Sequence, residues 1–346
     1  MTKVLEPDVS TSAPALLDGR IVDGSRGQYR VETEAGILLC SIRGRLRKQL
    51  VYPTSPNRHQ RVDESRVKAH DPVAVGQQVR VLPSGGGAGV IEEILAGTGG
   101  AFTRNDTDAG TARGKVTPVA GLDQIVAVFA AQDPAPHFGL LDRFLVIAES
   151  QGLATVICLN KTDLGVAAPI AARLAVYRAL GYPVVLTSTA SGAGIAALRA
   201  HLAGHISALL GASGVGKSSL LNALEPGLSL RVNAVSTLTH KGRHTTTGTR
   251  LVPLAGAAGG ALADTAGIRA LAVGGVGGRL AWCFRDFRPY LGTCRWSADC
   301  SHRQEPGCAV RAAVQAGTID AQRYDSYWAL YAGGADDAAR VWADVV

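Results

Sequence analysis

Only 18% of the 346 residues are charged, too few for a long disordered polyelectrolyte. The figure suits a chain that is 47% hydrophobic with 42 glycines, as globular α/β proteins are. Long apolar runs are missing too. The longest weakly polar run, "LVPLAGAAGGALA", is broken by Pro and Gly and falls short of the roughly 18 residues a membrane span needs. The opening stretch "MTKVLEPDVSTSAPALL" has one Lys, an early Pro and no continuous apolar core, so it does not resemble a secretory signal and is expected to be a flexible tail over residues 1–17. No terminal lipidation motif is present, so a membrane-associated signalling role is disfavoured and no membrane partner is expected. Six cysteines are few for this length, which argues against a disulfide framework. Three of them, Cys294, Cys300 and Cys308, crowd together, the pattern of a metal site with scattered buried thiols elsewhere. The cytoplasm fits this usage best.

Two or three domains fit in this length, each able to bury its own core. A net charge of +7 and a pI near 9.2 suit polyanionic partners as well as simple solubility. From Gly19 to about Leu95 the chain reads as short β segments, "RIVDG", "QYRVETEAGILLCSI", "QQVRVLP" and "AGVIEEIL", with "EAG" as a hairpin turn. Closing such strands into an OB-like barrel over residues 18–98 removes their edges, although periodicity alone does not fix the barrel type. Within it, Arg43, Arg45, Arg47, Lys48, Arg58, Arg61, Arg66 and Lys68 surround Tyr52. Such a run can follow a phosphate backbone or simply form a solvated loop, and the OB-like context favours nucleic acid.

A polar, Gly-rich linker over 99–117 precedes alternating strands and helices. "QIVAVFA", "ATVICL" and "PVVLTS" read as strands, while "FGLLDRFLVIAESQG", "PIAARLAVYRALG" and "GIAALRAHLAG" read as helices. Such a series predicts a mainly parallel sheet that binds ligands at the C-terminal ends of its strands.

"HISALLGASGVGKSSLLNAL" supplies a strand, a phosphate loop and a helix in succession. The backbone amides of Gly211, Ala212, Ser213, Gly214, Val215 and Gly216 would curl around phosphate oxygens at the helix N-terminus. Lys217 would reach the β and γ phosphates, the Ser218 hydroxyl would ligate Mg²⁺, and Ser219 completes the loop. ATP and GTP both remain open on this segment alone. "NKTD", Asn160 to Asp163, favours guanine: the Asp163 carboxylate can accept from both N1–H and the exocyclic amine, a donor pair adenine lacks. Asn160 would brace the loop and the Lys161 stem would cover the base. "TSTASGAG" ends the next strand, with backbone amides around Ser188 and Thr189 available to the guanine carbonyl. "DTAG" ends the strand "GALA" and places Asp264 for the Mg²⁺ shell and the Gly267 N–H for the γ-phosphate. Gly267 is followed by "IRALAV", with no Gln nearby, so unassisted hydrolysis is expected to be slow.

"CRWSADCSHRQEPGC" gathers Cys294, Cys300, His302 and Cys308 for Cys₃His ligation of one structural Zn²⁺, with no position left open for water. Cys40, Cys158 and Cys283 are left as non-ligands. "AVRAAVQAG" and "IDAQRYDSYWALYA" read as two helices, the second with an aromatic stripe of Tyr324, Tyr327, Trp328 and Tyr331 suited to core packing.

The segments "NKTD", "TSTASGAG", "GASGVGKSS", "KGRHTTT" and "DTAG" look like the five guanine-nucleotide motifs in permuted order, fourth and fifth first. This resembles the circularly permuted small-ribosomal-subunit biogenesis GTPases, the RsgA or YjeQ family, from about Gly19 to the C-terminal region. The resemblance implies an N-terminal OB-fold β-barrel, a circularly permuted P-loop α/β GTPase domain over 118–272 and a C-terminal α-helical zinc-binding domain over 273–346. It implies His244 as the water-positioning or catalytic residue and Thr246, chosen over Thr245, as the second Mg²⁺ contact. It also points to the four Cys and His residues as the zinc ligands. A monomeric switch that binds the small subunit and its rRNA, and leaves on subunit-stimulated GTP hydrolysis, is the expected function. A constitutive RNA-binding module in which GTP is mainly structural is the alternative. Three departures from the family pattern stand out: Ala266 where its switch carries Pro, "GLDQ" at Gly121 to Gln124, and a longer gap after Cys294.

Overall fold

The computed structural model describes residues 15–25, 27–51, 73–95, 100–102, 119–226, 250–255, 259–264, 276, 279–296 and 299–333. Backbone contacts divide the chain into two compact units, 1–97 and 98–346.

In the first unit, period-2 alternation produces strands with one buried face. β1 (Leu17–Ser25), β2 (Gln28–Thr33), β3 (Gly36–Ile42), β4 (Gln78–Gly85) and β5 (Ala88–Ile94) bury Ile21, Tyr29, Val31, Cys40, Val79, Val81 and Ile91. β1 pairs with β2, β2 with β3, β3 with β5, β5 with β4, and β4 returns to β1, so the sheet closes. The five-stranded closed order 1-2-3-5-4 has the OB-like form. The expected hairpin is present, Thr33 facing Gly36 across the turn. One element differs from the expected basic loop: "GRLRKQLV" forms helix α1 (Gly44–Val51), since its Leu, Arg, Lys and Gln residues are good helix formers. Arg43 is ion-paired with Glu92, Arg45 is exposed, and Tyr52, Arg58, Arg61, Arg66 and Lys68 lie outside the described residues.

The second unit opens with a small hairpin inside and beyond the expected linker, β6 (Gly100–Phe102) with β7 (Val119–Leu122). Its main sheet runs β10 (Val184–Leu186), β9 (Ala154–Asn160), β8 (Gln124–Ala130), β11 (Ile206–Leu210), β13 (Ala261–Asp264) and β12 (Arg250–Pro253). All pairings are parallel except that of β12 with β13. β8 and β11 are buried at every residue, which is why they read as unbroken apolar runs. The chain passes from β8 outward to β9 and β10, then returns to lay β11 on the other side of β8. This reversal opens a crevice at the C-terminal ends of the strands.

Helices α2 (Phe138–Ser150), α3 (Ala168–Ala179), α4 (Ile195–Leu202) and α5 (Lys217–Leu224) connect these strands. α2 is buried from Leu140 through Glu149, as a helix apolar on most sides must be. Beyond the sheet, α6 (Ala309–Gln315) and α7 (Ala321–Gly333) pack with Phe284, Phe287 and the cysteines into a core that also takes Val146 of α2. Tyr327 is buried there, Tyr324 and Trp328 are half-buried, and Tyr331 is exposed, so the aromatic stripe is mainly packing. Among the described residues no helix is long and apolar enough to cross a membrane.

Candidate nucleotide site and metal centre

β11 runs straight into the phosphate loop and α5. Gly211 crosses β8 so closely that a Cβ there would sit 2.3 Å from the Val128 carbonyl oxygen. Lys217 Nζ donates to the carbonyls of Gly211 and Ala212 at 2.9 and 2.8 Å, which folds its ammonium over the loop, while Ser213, Gly214 and Ser218 are exposed. Ala212 and Val215 are buried and anchor the loop from below; Gly216 and Ser219 are half-buried.

The "NKTD" turn, which precedes this loop by about fifty residues in the chain, lies against it in space. Asn160 is fully buried; its Nδ2 donates to the Val215 carbonyl at 3.0 Å and its Oδ1 accepts from the Thr187 hydroxyl at 3.2 Å. This contact explains Gly216: with φ +96°, a Cβ there would lie 2.3 Å from Asn160 Nδ2. Lys161 takes a left-handed φ of 59°, and its Nζ donates to the Asp133 carbonyl. Thr162 N–H and hydroxyl both donate to the Thr187 carbonyl, at 3.1 and 3.0 Å. Asp163 is exposed, yet one carboxylate oxygen accepts from the buried Ser188 hydroxyl at 2.6 Å. Ser188 is itself set by its N–H to the Ala193 carbonyl and by accepting from Ser191 N–H at 3.1 Å; Thr189 follows it, half-buried. Three of the predicted segments therefore meet at one edge of the sheet. The Asp264 backbone ends β13 beside β11. His244, Thr246 and Gly267 lie outside the described residues.

Two contributors were missed in the sequence. Gln132 Nε2 donates to the Leu164 carbonyl at 2.6 Å, and Asp133 offers the carbonyl that Lys161 meets. Their one sequence signal is a polar pair one residue beyond the buried strand β8. Cys158, beneath Asn160, lies 3.3 Å from the Thr187 hydroxyl. Burial pushes its thiol up to about 11, so it acts as packing rather than as a nucleophile.

In the C-terminal region, one donor atom from each of Cys294, Cys300, His302 and Cys308 lies within 4.8 Å of the others, and all four residues are buried. Cys294 Sγ and Cys308 Sγ each stand 3.5 Å from His302 Nδ1, and 3.9 Å from one another. His302 reaches in because its φ is +60°. The close Cys300–His302 spacing is accommodated by Glu305, which accepts from Ser301, Arg303 and Gln304 N–H and from the Ser301 hydroxyl. Tyr324 and Tyr327 clamp the same turn through the His302 and Ser301 carbonyls, at 2.7 and 2.8 Å. Burial lowers the His302 imidazole, which keeps it neutral, the form that ligates, whereas burial raises the Cys300 thiol to about 12, so a thiolate there requires a cation beside it. The cluster can hold a metal ion. Cys40 and Cys283 are buried outside it.

A family model described as RsgA GTPase matches residues 101–274. Over 311 residues the chain is 43% identical to a protein named small ribosomal subunit biogenesis GTPase RsgA from Gemmatimonas aurantiaca, covering 89% of this chain and 94% of the relative. A relative of the same name from Moorella thermoacetica is 37% identical over 312 residues, covering 90% and 95%. Among solved structures, that of YjeQ from Thermotoga maritima aligns with a TM-score of 0.67 at 29% identity, covering 96% of this chain and 99% of the other. The structure described as YloQ, a circularly permuted GTPase, gives 0.64 at 26% identity, covering 97% and 96%.

Proposed function

Because the chain belongs to the RsgA GTPase family, we propose that it works as a GTP-hydrolysing switch in maturation of the small ribosomal subunit, bound in the GTP form and released on hydrolysis. GTP hydrolysis and a place in small-subunit biogenesis follow from the family; the switching cycle and its stimulation by the subunit are our reading. The observation that carries it is the Asn160–Val215 hydrogen bond, with Asp163 held by Ser188. These contacts join guanine reader and phosphate loop despite their reversed chain order.

In this reading Asp163 accepts from the guanine edge, the Lys161 stem covers the base, and the amides near Ser188 and Thr189 meet its carbonyl. The 211–216 amides and Lys217 bind phosphate oxygens, and the Gly267 N–H meets the γ-phosphate. Ser218 and Thr246 would hold the Mg²⁺ that accompanies GTP, with Asp264 in its outer shell, and the ion would supply positive charge against that developing on the β and γ phosphates. His244 would orient the attacking water. Zn²⁺ is the metal the Cys₃His cluster suits: tetrahedral zinc with Zn–S of about 2.3 Å and Zn–N of about 2.05 Å implies S···S near 3.8 Å and S···N near 3.55 Å. The observed separations are 3.9 and 3.5 Å. One structural zinc per chain, a monomer in the cytoplasm and rRNA contacts by the barrel and the zinc-binding domain complete the proposal, with domain limits at 18–98, 118–272 and 273–346.

Single-turnover GTP hydrolysis by the zinc-loaded chain tests it, with small subunits, large subunits or neither, and with ATP as a control. Without partner we expect a rate on the order of 10⁻⁴ to 10⁻² per second, and a large acceleration by small subunits alone. His244→Ala should cut the stimulated rate by about 10²-fold or more while GTP affinity stays within about twofold. Equal slow rates in every mixture would sink the switch and leave an RNA-binding module.

A further inference from the structure

A second set of charges, placed away from the phosphate loop, is buried between the sheet's helices and the C-terminal region. Arg323, on α7, is 1% exposed and forms a two-point pair with Asp286, both contacts at 2.8 Å. It also donates to Asp142 of α2 at 2.6 Å, where the Tyr177 hydroxyl of α3 donates at 2.9 Å. Arg173 of α3 pairs with Asp320, whose carboxylate also accepts from the Arg323 N–H. At the far end of α2, Glu149 holds Arg285 and Arg288 and accepts from the Tyr182 hydroxyl at 3.0 Å.

Buried ion pairs seldom stabilise a fold more than apolar residues of equal volume would, but they fix the register of the elements they join and are costly to break on one side. The elements joined here are α2 and α3 on one hand and the C-terminal region on the other. These two helices flank the base-reading turn. α3 begins at Ala168, just after Asp163. α2 follows the segment whose Ala131 N–H donates to the Asn160 carbonyl at 2.8 Å, whose Gln132 donates to Leu164 and whose Asp133 receives Lys161. The turn is thus supported on both sides by chain that runs into helices riveted to the metal-bearing region.

We propose that Arg323, Arg173 and Glu149 are positioning residues for guanine recognition, so that the coupling this network carries between the C-terminal region and the nucleotide is equal for GDP and GTP, and the preference for the GTP form that the switch requires is carried by the γ-phosphate-sensing segments. The base is common to both nucleotides; a route through the γ-phosphate-sensing segments would instead separate them. The inference rests on Asp163 reading the base, and by reciprocity either nucleotide should steady the C-terminal region equally.

The full zinc-loaded chain tests it in two ways. Equilibrium binding of GDP and of a non-hydrolysable GTP analogue to Arg323→Lys and Glu149→Gln should weaken about 3- to 10-fold for both, the size of modest couplings. Arg288→Ala, at a partly exposed position, supplies a disruption that folds if the buried variants do not. In the unmodified chain, amide exchange in α7 should slow alike on adding GDP or the analogue, a readout that mere stability loss in a variant would not produce. Unmoved affinities in folded variants, or α7 protection by the analogue alone, would overturn the proposal. Asp163→Asn separates the premise: if it fails to exchange guanine for xanthine nucleotide preference, the base assignment and this inference fall together. A successful exchange with unmoved affinities defeats the inference alone.

Discussion

In the proposed reading Asp163 would recognise guanine only while its carboxylate faces the ligand edge, and the 2.6 Å hydrogen bond from Ser188 restricts how it can turn. Asp163→Asn should therefore lower GDP affinity about 10- to 100-fold, as expected for loss of a two-point base contact worth about 1–3 kcal/mol, and raise xanthosine diphosphate affinity. Paired titrations with the two nucleotides check the exchange. Ser188→Ala leaves the charge and removes its support, so GDP and GTP should both weaken by a smaller factor. Gly216→Ala is the more severe change. It forces a side chain onto φ +96° and toward Asn160 Nδ2 at 2.3 Å, which parts the base turn from the phosphate loop; nucleotide binding should be lost while the circular dichroism spectrum is kept.

At the scale of elements, the contact of α2 with the C-terminal region should be sensitive to acid. Burial works against the Glu149 charge, but hydrogen bonding from Arg288 and the charge of Arg285 outweigh it and hold the carboxyl below the usual Glu range. Burial likewise opposes the Asp320 charge, and Arg173 lowers it overall. A depressed folded pKa contributes stability that is complete above the unfolded value, about 4.3 for Glu and 3.9 for Asp, and is lost as pH falls through the folded one. Melting temperature should therefore fall as pH drops below about 4.5, and Glu149→Gln should flatten part of that slope; an unchanged slope would count against Glu149 being paired in solution. The strands, main helices and ligand quartet were legible because their signals are local: unbroken apolar runs in β8 and β11, a Lys-Ser after glycines, four ligands within fifteen residues. The network was not, since Asp142 and Arg323 are 181 residues apart and each reads as an ordinary charge on a helix. α1 was hidden by its charge density, and β12 by the antiparallel return it makes in a series of parallel strands.

For the whole molecule, permutation matters less than where strand ends meet. β9, β10 and β11 deliver the base turn, its support and the phosphate loop to one edge of the sheet, whatever order the chain visits them in. All of these, and the Cys₃His cluster, belong to the unit 98–346, whereas the closed barrel belongs to 1–97. Nucleotide chemistry and the barrel's share of partner capture should therefore be separable. A fragment of residues 98–346 should bind GDP within about twofold of the full chain and hydrolyse GTP alone at the same slow rate, within the order-of-magnitude range for unassisted GTPases. Its stimulation by small subunits should require far higher subunit concentration, because the fragment lacks the basic run from Arg43 to Lys68. The salt dependence of subunit binding should also be shallower in the fragment, since fewer phosphates are neutralised and fewer counterions released. A fragment stimulated at the same subunit concentration as the full chain would remove the barrel from recognition and leave the metal-bearing region as the docking element.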